Sequence, residues 1–239
     1  MTVETTQDGF LDRRLLLDQP RRGFRAGHDS VLLAAAVPAL SGQSVLELGS
    51  GVGVASLCLA ARVADLRILG VELDSNLVAL ANGNAARNGF GTTAGFVIGD
   101  ARDFAPAEAP FDHVFFNPPF HPMSGQSSPN AARDRAMRDI DDALVQWTAH
   151  ATTLLQDGGT ITVIMRADRV EEWCASAQGA MRVTPLLARA GEPPKRVIAR
   201  LTPGGEASLI SQPPFVLHQD DGKPTEAAEA ILRHGAAFP

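Results

Sequence analysis

The stretch Val45-Leu46-Glu47-Leu48-Gly49-Ser50-Gly51-Val52-Gly53 decides the fold of this chain. Its first residues predict a buried strand, and its three glycines predict a tight turn, here called the glycine turn (residues 49–53), that leads into a helix. Glycines let backbone amides approach a ligand, and a helix N-terminus favours negative groups. The spacing is Gly-x-Gly-x-Gly, whereas dinucleotide sites have Gly-x-Gly-x-x-Gly. The stretch therefore predicts a nucleotide-like ligand.

Strand and helix patterns alternate on either side of this turn, which predicts an α/β fold with a mostly parallel, doubly wound sheet and helices on both faces. Helices are predicted over 31–37, 54–63, 75–87, 141–155, 170–180 and 225–234. Strands are predicted over 44–48, 67–72, 95–98, 113–116, 160–165, 182–188, 196–202 and 208–211. The strands over 182–188 and 196–202 are joined without a helix, so they are expected to form an antiparallel edge.

A single domain is expected over residues 1–239, because 45% hydrophobic content suffices for one substantial core. Residues 1–40 are expected to form an N-terminal arm and a lid helix, with a short hairpin or extended arm near Leu15-Leu16-Leu17. The catalytic core is expected over 44–202, and a C-terminal tail over 203–239.

Two acidic residues follow the next two strands. Glu72 lies about 20 residues beyond the glycine turn, where a carboxylate accepts ribose hydroxyl protons in such folds. Asp100 ends the third strand and is suitably placed for an exocyclic adenine amine. Glu72 alternatively serves as a helix N-terminal charge, as Asp74 is expected to do, and Asp100 as the cap of a turn.

The tetrapeptide Asn117-Pro118-Pro119-Phe120 follows the apolar run of a predicted strand. Prolines restrict the backbone, so the Asn117 amide and nearby carbonyls can form a preset cluster of acceptors for a planar nitrogen. Phe120 is expected to stack on a flat substrate, with a core position as the alternative. A near-copy at 212–215 follows no strand that adjoins the glycine turn, so the tetrapeptide by itself is weak evidence.

Composition limits the function classes. The formal net charge of −6 argues against a nucleic-acid footprint over the whole surface, so any RNA contact must come from local arginine clusters. Cys58 and Cys174 form neither a disulfide framework nor a zinc set, and no metal site is expected. The N-terminus lacks the pattern of a signal peptide, and no apolar run is long enough for a membrane span. A cytoplasmic location is therefore expected.

The glycine turn with Glu47, the acids Glu72 and Asp100, and the Asn-Pro-Pro-Phe tetrapeptide together resemble the class I S-adenosylmethionine-dependent methyltransferases. Within them the chain resembles the bacterial tRNA adenine-N6 methyltransferases that modify an adenine beside the anticodon of a valine tRNA. The resemblance covers nearly the whole chain and implies a Rossmann-like seven-stranded sheet with a terminal antiparallel strand. It implies S-adenosyl-L-methionine as cofactor, with Asn117, Pro118 and Phe120 as catalytic residues. The cofactor contacts that it implies are Arg25, Gly27, Asp29, Glu47, Gly49, Gly51, Glu72, Asp100, Ala101 and Asn117.

The expected acceptor is N6 of an adenine in RNA, and tRNA is the expected partner. Basic and turn residues near the tetrapeptide and near the last strands are expected to contact the RNA: Pro119, His121, Arg133, Arg135, Lys195 and Arg196. A protein glutamine-N5 methyltransferase is an alternative, although only about 43 residues precede the first sheet strand and such enzymes carry a longer helical N-terminal domain. The Phe120-His121 pair leaves an rRNA guanine-N2 methyltransferase open, and the non-enzymatic alternative is a nucleotide-binding module.

Overall fold

The computed structural model describes residues 4–23, 25–119 and 143–239. Within these ranges the chain forms a two-stranded hairpin and one nine-stranded sheet covered by helices. The strands are β1 (Thr5–Phe10), β2 (Leu15–Pro20), β3 (Ser44–Leu48), β4 (Arg67–Glu72), β5 (Ala94–Ile98), β6 (Phe111–Phe116), β7 (Leu155–Arg166), β8 (Gly179–Leu187), β9 (Arg196–Pro203), β10 (Ser208–Ser211) and β11 (Phe215–Val216). The helices are α1 (His28–Ala36), α2 (Val54–Arg62), α3 (Ser75–Arg87), α4 (Ala143–Leu154), α5 (Val170–Ser176) and α6 (Glu226–Leu232), with a 3₁₀ turn at Ala167–Arg169.

The sheet has the order β10-β8-β9-β7-β6-β3-β4-β5, and β11 pairs with β8 beyond β10. Among the described strands of this sheet, β9 alone runs against the others. The structure therefore confirms an α/β fold with a mostly parallel sheet and an antiparallel element.

Two details of the predicted sheet were wrong. The sheet has nine strands rather than seven, because β10 and β11 extend it along β8. The antiparallel strand β9 is not at the edge, since it lies between β7 and β8 and pairs with both. Its run Val197-Ile198-Ala199 is buried on both faces, whereas β8 exposes Arg182. Burial of this apolar run explains why the second strand of the pair occupies the interior position.

Several boundaries also differ from the prediction. The predicted turn at 157–159 lies inside β7, where Gly158 has a φ of +76° and the pairing with β6 shifts register. The helix predicted over 170–180 ends at Ser176, and β8 begins earlier than predicted, at Gly179. The predicted helix over 141–155 is described from Ala143 to Leu154.

The core consists of two apolar clusters on opposite faces of the sheet. On one face, α1, α2, α3 and α6 pack against side chains such as Val45 and Phe115. On the other face, α4 and α5 pack against Leu46 and Phe116. Neighbouring residues of β3 and of β6 thus enter different clusters, as the two-residue period of a strand requires. The helices lie on both faces, as predicted.

The N-terminal hairpin is held against α3 by two asparagine side chains. Asn84 Oδ1 accepts from the amide of Asp18 at 2.8 Å, and its Nδ2 donates to the Asp18 carbonyl at 3.1 Å. Asn88 makes the same pair of bonds with Leu16, at 2.9 and 3.0 Å. The two side-chain amides thereby satisfy the backbone of β2 as a neighbouring strand would.

No helix within the described ranges is both long enough and apolar enough to cross a membrane. The cytoplasmic location stays a prediction.

Candidate active site

The carboxyl ends of β3, β4 and β6 meet at one edge of the sheet. Leu48 pairs with Val71 on one side and with Phe116 on the other, so Glu72 and Asn117 flank the start of the glycine turn. Adjacent strands are about 4.8 Å apart, which makes the backbones of these three segments close neighbours. The chain continues from β3 to β4 and β5 and then returns to β6 on the opposite side of β3. Ligands of doubly wound sheets bind at this point of reversal.

The three glycines of the glycine turn differ in what surrounds them. Gly51 has a φ of +55°, and a Cβ placed on it would meet no atom within 4 Å. A Cβ on Gly49 would lie 2.6 Å from the Trp147 ring, and one on Gly53 would lie 2.7 Å from the Phe96 ring. Packing thus requires glycine at both ends of the turn, whereas Gly51 faces open space that a ligand can enter.

Glu72 links β4 to the glycine turn. Its Oε2 accepts a hydrogen bond from the amide of Gly51 at 2.9 Å, and its Oε1 accepts from the amide of Asp74 at 3.0 Å. Each carboxylate oxygen has a second lone pair that can accept a ribose hydroxyl. Capping of α3 belongs to Asp74, whose Oδ1 accepts from the amide of Asn76 at 2.8 Å. The ribose contact of Glu72 stays a prediction.

Glu47 is enclosed beneath the glycine turn. Its Oε2 accepts from the amide of Ser56 at 3.1 Å and from the Ser56 hydroxyl at 2.5 Å, which fastens β3 to the first turn of α2. Burial raises the pKa of Glu47 to about 8, against the lowering effect of the two Ser56 bonds. In the structure this carboxyl therefore supports the turn, and its predicted cofactor contact stays a prediction. Sequence reasoning missed Ser56, because a serine inside an apolar helix carries no distinguishing signal.

Asp100 lies beyond β5 and is paired with Arg102. The Arg102 Nε lies 2.9 Å from Asp100 Oδ1, a second guanidinium nitrogen contacts Oδ2, and the Arg102 amide donates to Oδ1 at 2.9 Å. These bonds hold the pKa of Asp100 below its usual value. Asp100 is thus a charged acceptor, and Ala101 beside it is buried. The predicted adenine contacts of these two residues are untested, and sequence reasoning missed Arg102.

Asn117 follows β6 with a polar atom that lacks a partner among the described residues. Its side-chain Oδ1 is enclosed, yet no described residue donates a hydrogen bond to it. Pro118 is buried and Pro119 is exposed, so the two prolines anchor the segment and leave its outer side accessible. Trp147 of α4 packs edge-on against Phe116, with ring centroids 5.7 Å apart, and covers Gly49. Sequence reasoning missed this tryptophan, because its helical spacing is also that of an ordinary core residue.

The remaining predicted site residues lie near the hairpin, at the contact between α1 and β9, or outside the described ranges. Arg25 hydrogen-bonds to Thr6 Oγ1 at 2.8 Å and is ion-paired with Asp8, so it lies against the hairpin. Asp29, in the first turn of α1, accepts from the Arg196 Nε at 3.2 Å. Their neighbours Gly27 and Lys195 are exposed, while Phe120, His121, Arg133 and Arg135 lie outside the described residues.

Comparison with known proteins identifies the family. Residues 26–172 match the methyltransferase small domain. The chain belongs to this methyltransferase family. It is 32% identical to a tRNA1(Val) (adenine(37)-N6)-methyltransferase of Aeromonas hydrophila, over 90% of this chain and 91% of the relative. It is 30% identical to an enzyme of the same description from Porphyromonas gingivalis, over 87% of this chain and 85% of the relative.

The fold of this methyltransferase also agrees with a known structure. A predicted O-methyltransferase from Agrobacterium tumefaciens superimposes with a TM-score of 0.73 at 22% identity, over 88% of this chain and 98% of that one. At this identity the likeness extends to the fold alone.

The chain is an S-adenosylmethionine-dependent methyltransferase, which confirms the predicted enzyme class and cofactor. The residues at the sheet edge fit this cofactor. The open space beside Gly51 admits a ligand, and Glu72 presents carboxylate oxygens next to it. The part of the chain that the structure describes holds no group of acidic, histidine or cysteine side chains arranged for a metal ion.

Proposed function

We propose that this methyltransferase modifies the exocyclic N6 of an adenine in RNA, and that its substrate is a tRNA. One observation carries the choice of an amino nitrogen as acceptor. The enclosed Oδ1 of Asn117, which lacks a donor among the described residues, lies where β6 meets the glycine turn. Such an oxygen needs an N–H donor, and an exocyclic aromatic amine has two N–H groups.

The chemistry of the acceptor explains the need for this oxygen. An exocyclic amine is a poor nucleophile because its lone pair is delocalised into the ring. Asn117 Oδ1 accepts one amine hydrogen, and the Pro118 carbonyl, held in place by a buried ring, accepts the other. These two bonds favour a pyramidal nitrogen whose lone pair is available. S-adenosylmethionine supplies an activated methyl group when it is bound, so positioning replaces a strong general base.

Two features support an RNA acceptor. Relatives that match over most of their length carry the description of tRNA adenine-N6 methyltransferases. Lys195 is exposed next to Arg196, at the same end of the sheet as the glycine turn, because β9 starts where β7 ends. A base in an RNA loop is also cheaper to extrude than a paired base. A tRNA substrate implies that the enzyme works in the cytoplasm.

The test is transfer of a labelled methyl group to unmodified tRNA, followed by digestion to nucleosides and chromatography. The expected product is N6-methyladenosine. Label in N2-methylguanosine would replace the proposal with a guanine-N2 methyltransferase, and label confined to a protein fraction would favour a glutamine-N5 methyltransferase. Binding of S-adenosylhomocysteine, measured by calorimetry on the same sample, separates a wrong acceptor from inactive protein.

A further inference from the structure

A cavity lies at the edge of the sheet opposite to the glycine turn. It has a volume of about 400 Å³, within the range of small-ligand sites. Three arginines line it: Arg62 at the end of α2, Arg182 near the start of β8, and Arg200 towards the end of β9. Arg200 is close in sequence to Lys195 and Arg196. The structure separates them, because β9 carries Arg200 away from the active-site edge.

The like charges are close together. Arg182 and Arg200 are directly opposite on antiparallel neighbours, so their side chains leave the sheet side by side on one face. Like charges in this arrangement destabilise a sheet. Burial and the positive charge of Arg182 lower the pKa of Arg200. Burial and the positive charge of Arg200 lower the pKa of Arg62 in the same way.

None of the three arginines forms an ion pair with a carboxylate of the described residues. No Asp or Glu oxygen of residues 4–23, 25–119 and 143–239, and no oxygen of the terminal carboxylate of Pro239, lies within 4.0 Å of a nitrogen of these arginines. Thr184 and Gln212, which also line the cavity, add neutral hydrogen-bonding groups. The polar side chains of the lining therefore carry a surplus of positive charge, and they lie among apolar residues such as Val37, Leu40 and Ile198.

Capping of a helix explains only part of this arrangement. Arg62 Nη2 donates to the carbonyl of Ala34 at 3.1 Å, and Arg200 Nη2 donates to the carbonyl of Ala36, both near the C-terminus of α1. The Nε of Arg62 and the Nε of Arg200 are enclosed, and neither has an acceptor in the part of the chain that the structure describes. Among the described residues, Nη1 of Arg62, Nη1 of Arg200 and the whole guanidinium of Arg182 have no hydrogen-bond acceptor. Arg62 and Arg200 together donate to three carbonyls at this end of α1, those of Ala34, Val37 and Ala36, and they use only Nη2 for this. The remaining donors, and the guanidinium of Arg182, require a different explanation.

We propose that this cavity binds an oxyanion of the phosphate class, held by the guanidinium groups of Arg62, Arg182 and Arg200. A phosphate group offers several acceptor oxygens and a negative charge, which match the fork geometry of arginine donors. The phosphate belongs either to an RNA backbone or to a free small molecule. Phosphate binding here does not depend on the identity of the methyl acceptor.

The first experiment measures the melting temperature in sodium phosphate and in sodium chloride of equal ionic strength. Phosphate at ten times its dissociation constant is expected to raise the melting temperature by about 3 °C more than chloride does. Arg182→Gln is expected to lose most of this rise. Its melting temperature without phosphate should not fall, because Arg182 is exposed and its removal relieves the repulsion with Arg200. Arg189→Gln is the matched control, because Arg189 is exposed, pairs with Glu192 and should keep the full rise.

Two results would overturn the proposal: a phosphate response of the parent no larger than that of chloride, or a full response in Arg182→Gln. Arg200→Lys provides a second variant that keeps the charge but loses the fork, and it too should bind phosphate more weakly. Binding of a tRNA transcript at several salt concentrations then distinguishes the sources. A salt slope lower by about 1 in Arg182→Gln assigns the phosphate to RNA. An unchanged slope, together with a lost phosphate response, assigns it to a free small molecule.

Discussion

Asn117 carries an acceptor that is enclosed by protein and has no donor among the described residues. An unsatisfied buried polar group costs about 1–3 kcal/mol of stability. A cost of this size is consistent with a group held ready for a substrate, because hydrogen bonds to the acceptor amine would recover it. The Asn117 side chain therefore lowers the stability of the free protein and favours methyl transfer.

Asn117→Ala is expected to lower kcat for methyl transfer about 150-fold, corresponding to roughly 3 kcal/mol for a positioned transition-state hydrogen bond. The dissociation constant for S-adenosylhomocysteine should change little, and the melting temperature should not fall, because an unsatisfied acceptor is removed. Single-turnover kinetics, calorimetry and thermal unfolding provide the three readouts. Gln219→Ala, at an exposed side chain of the C-terminal segment, is the control. Parent-like transfer by Asn117→Ala would remove this residue from the mechanism.

Glu47 is the second residue whose environment decides its chemistry, and it predicts a pH dependence. Its pKa is raised from 4.5 to about 8, so between these pH values the folded protein holds a proton that the unfolded chain releases. The free energy of unfolding should therefore fall as pH rises through this window, by about 1.4 kcal/mol per pH unit from this group. Glu47→Gln lacks this dependence.

Urea unfolding of the parent and of Glu47→Gln at pH 5, 6, 7 and 8 measures the effect. Stability of the variant relative to the parent should increase steadily with pH. The comparison also cancels His113, whose pKa is lowered to about 4 by burial and which destabilises both proteins as pH falls below 6.5. Parallel stability curves for the two proteins would show that Glu47 is ionised in the folded state.

At the scale of elements, α3 connects the hairpin to the active site. Asn84 and Asn88 each bind the backbone of β2 through two hydrogen bonds. Asn84 in addition donates to the carbonyl of Val52 in the glycine turn, at 3.1 Å. Asn84 thus joins α3, β2 and the glycine turn, whereas Asn88, one helical turn later, joins only α3 and β2. This difference provides a matched pair of variants.

Asn84→Ala and Asn88→Ala are each expected to lower the free energy of unfolding by about 1–3 kcal/mol, because partly buried backbone groups of β2 lose their partners. Asn84→Ala alone should also weaken cofactor binding severalfold, because the carbonyl of Val52 is released. Urea unfolding and calorimetry with S-adenosylhomocysteine measure the two effects. Equal cofactor affinities in the two variants would show that the glycine turn is held without Asn84.

At the scale of the whole molecule, the C-terminal segment is part of the core. It adds β10 and β11 to the sheet, and α6 packs on α1. Phe238 donates its amide to the carbonyl of Ala35 at 2.9 Å, and its ring lies 4.9 Å from that of Phe215. The predicted C-terminal tail (residues 203–239) thus covers α1, and the first turn of α1 lies at the active-site edge.

Ile231→Ala is expected to destabilise the protein by about 2–5 kcal/mol, since this side chain is 2% exposed and lies within the core cluster of α1. Ile210→Ala, at an edge-strand side chain that is 46% exposed, should change stability by less than about 0.5 kcal/mol. Urea unfolding of both variants tests the contrast. Equal and small effects would show that the segment folds independently of the core.

Local patterns were sufficient for the fold class and for most elements. The run Val45 to Gly53 predicted a strand, a turn and a helix start, because burial of the strand and the freedom of glycine depend on adjacent residues. The same holds for Asp74, whose capping role follows from its place at the start of α3. The position of β9 did not follow, since two strands joined by a short turn can pair in either order at a sheet edge.

The sequence by itself determined the chemical class of this protein, because a glycine turn, two acids at strand ends and an Asn-Pro-Pro segment are local patterns that mark a methyltransferase. Only the tertiary structure decided which glycine is open to a ligand. Trp147 and Phe96 come from distant parts of the chain and occupy the space beside Gly49 and Gly53. It also separated Arg200 from Lys195 and gathered it with Arg62 and Arg182, because strand direction and helix packing bring together residues that sequence distance cannot relate.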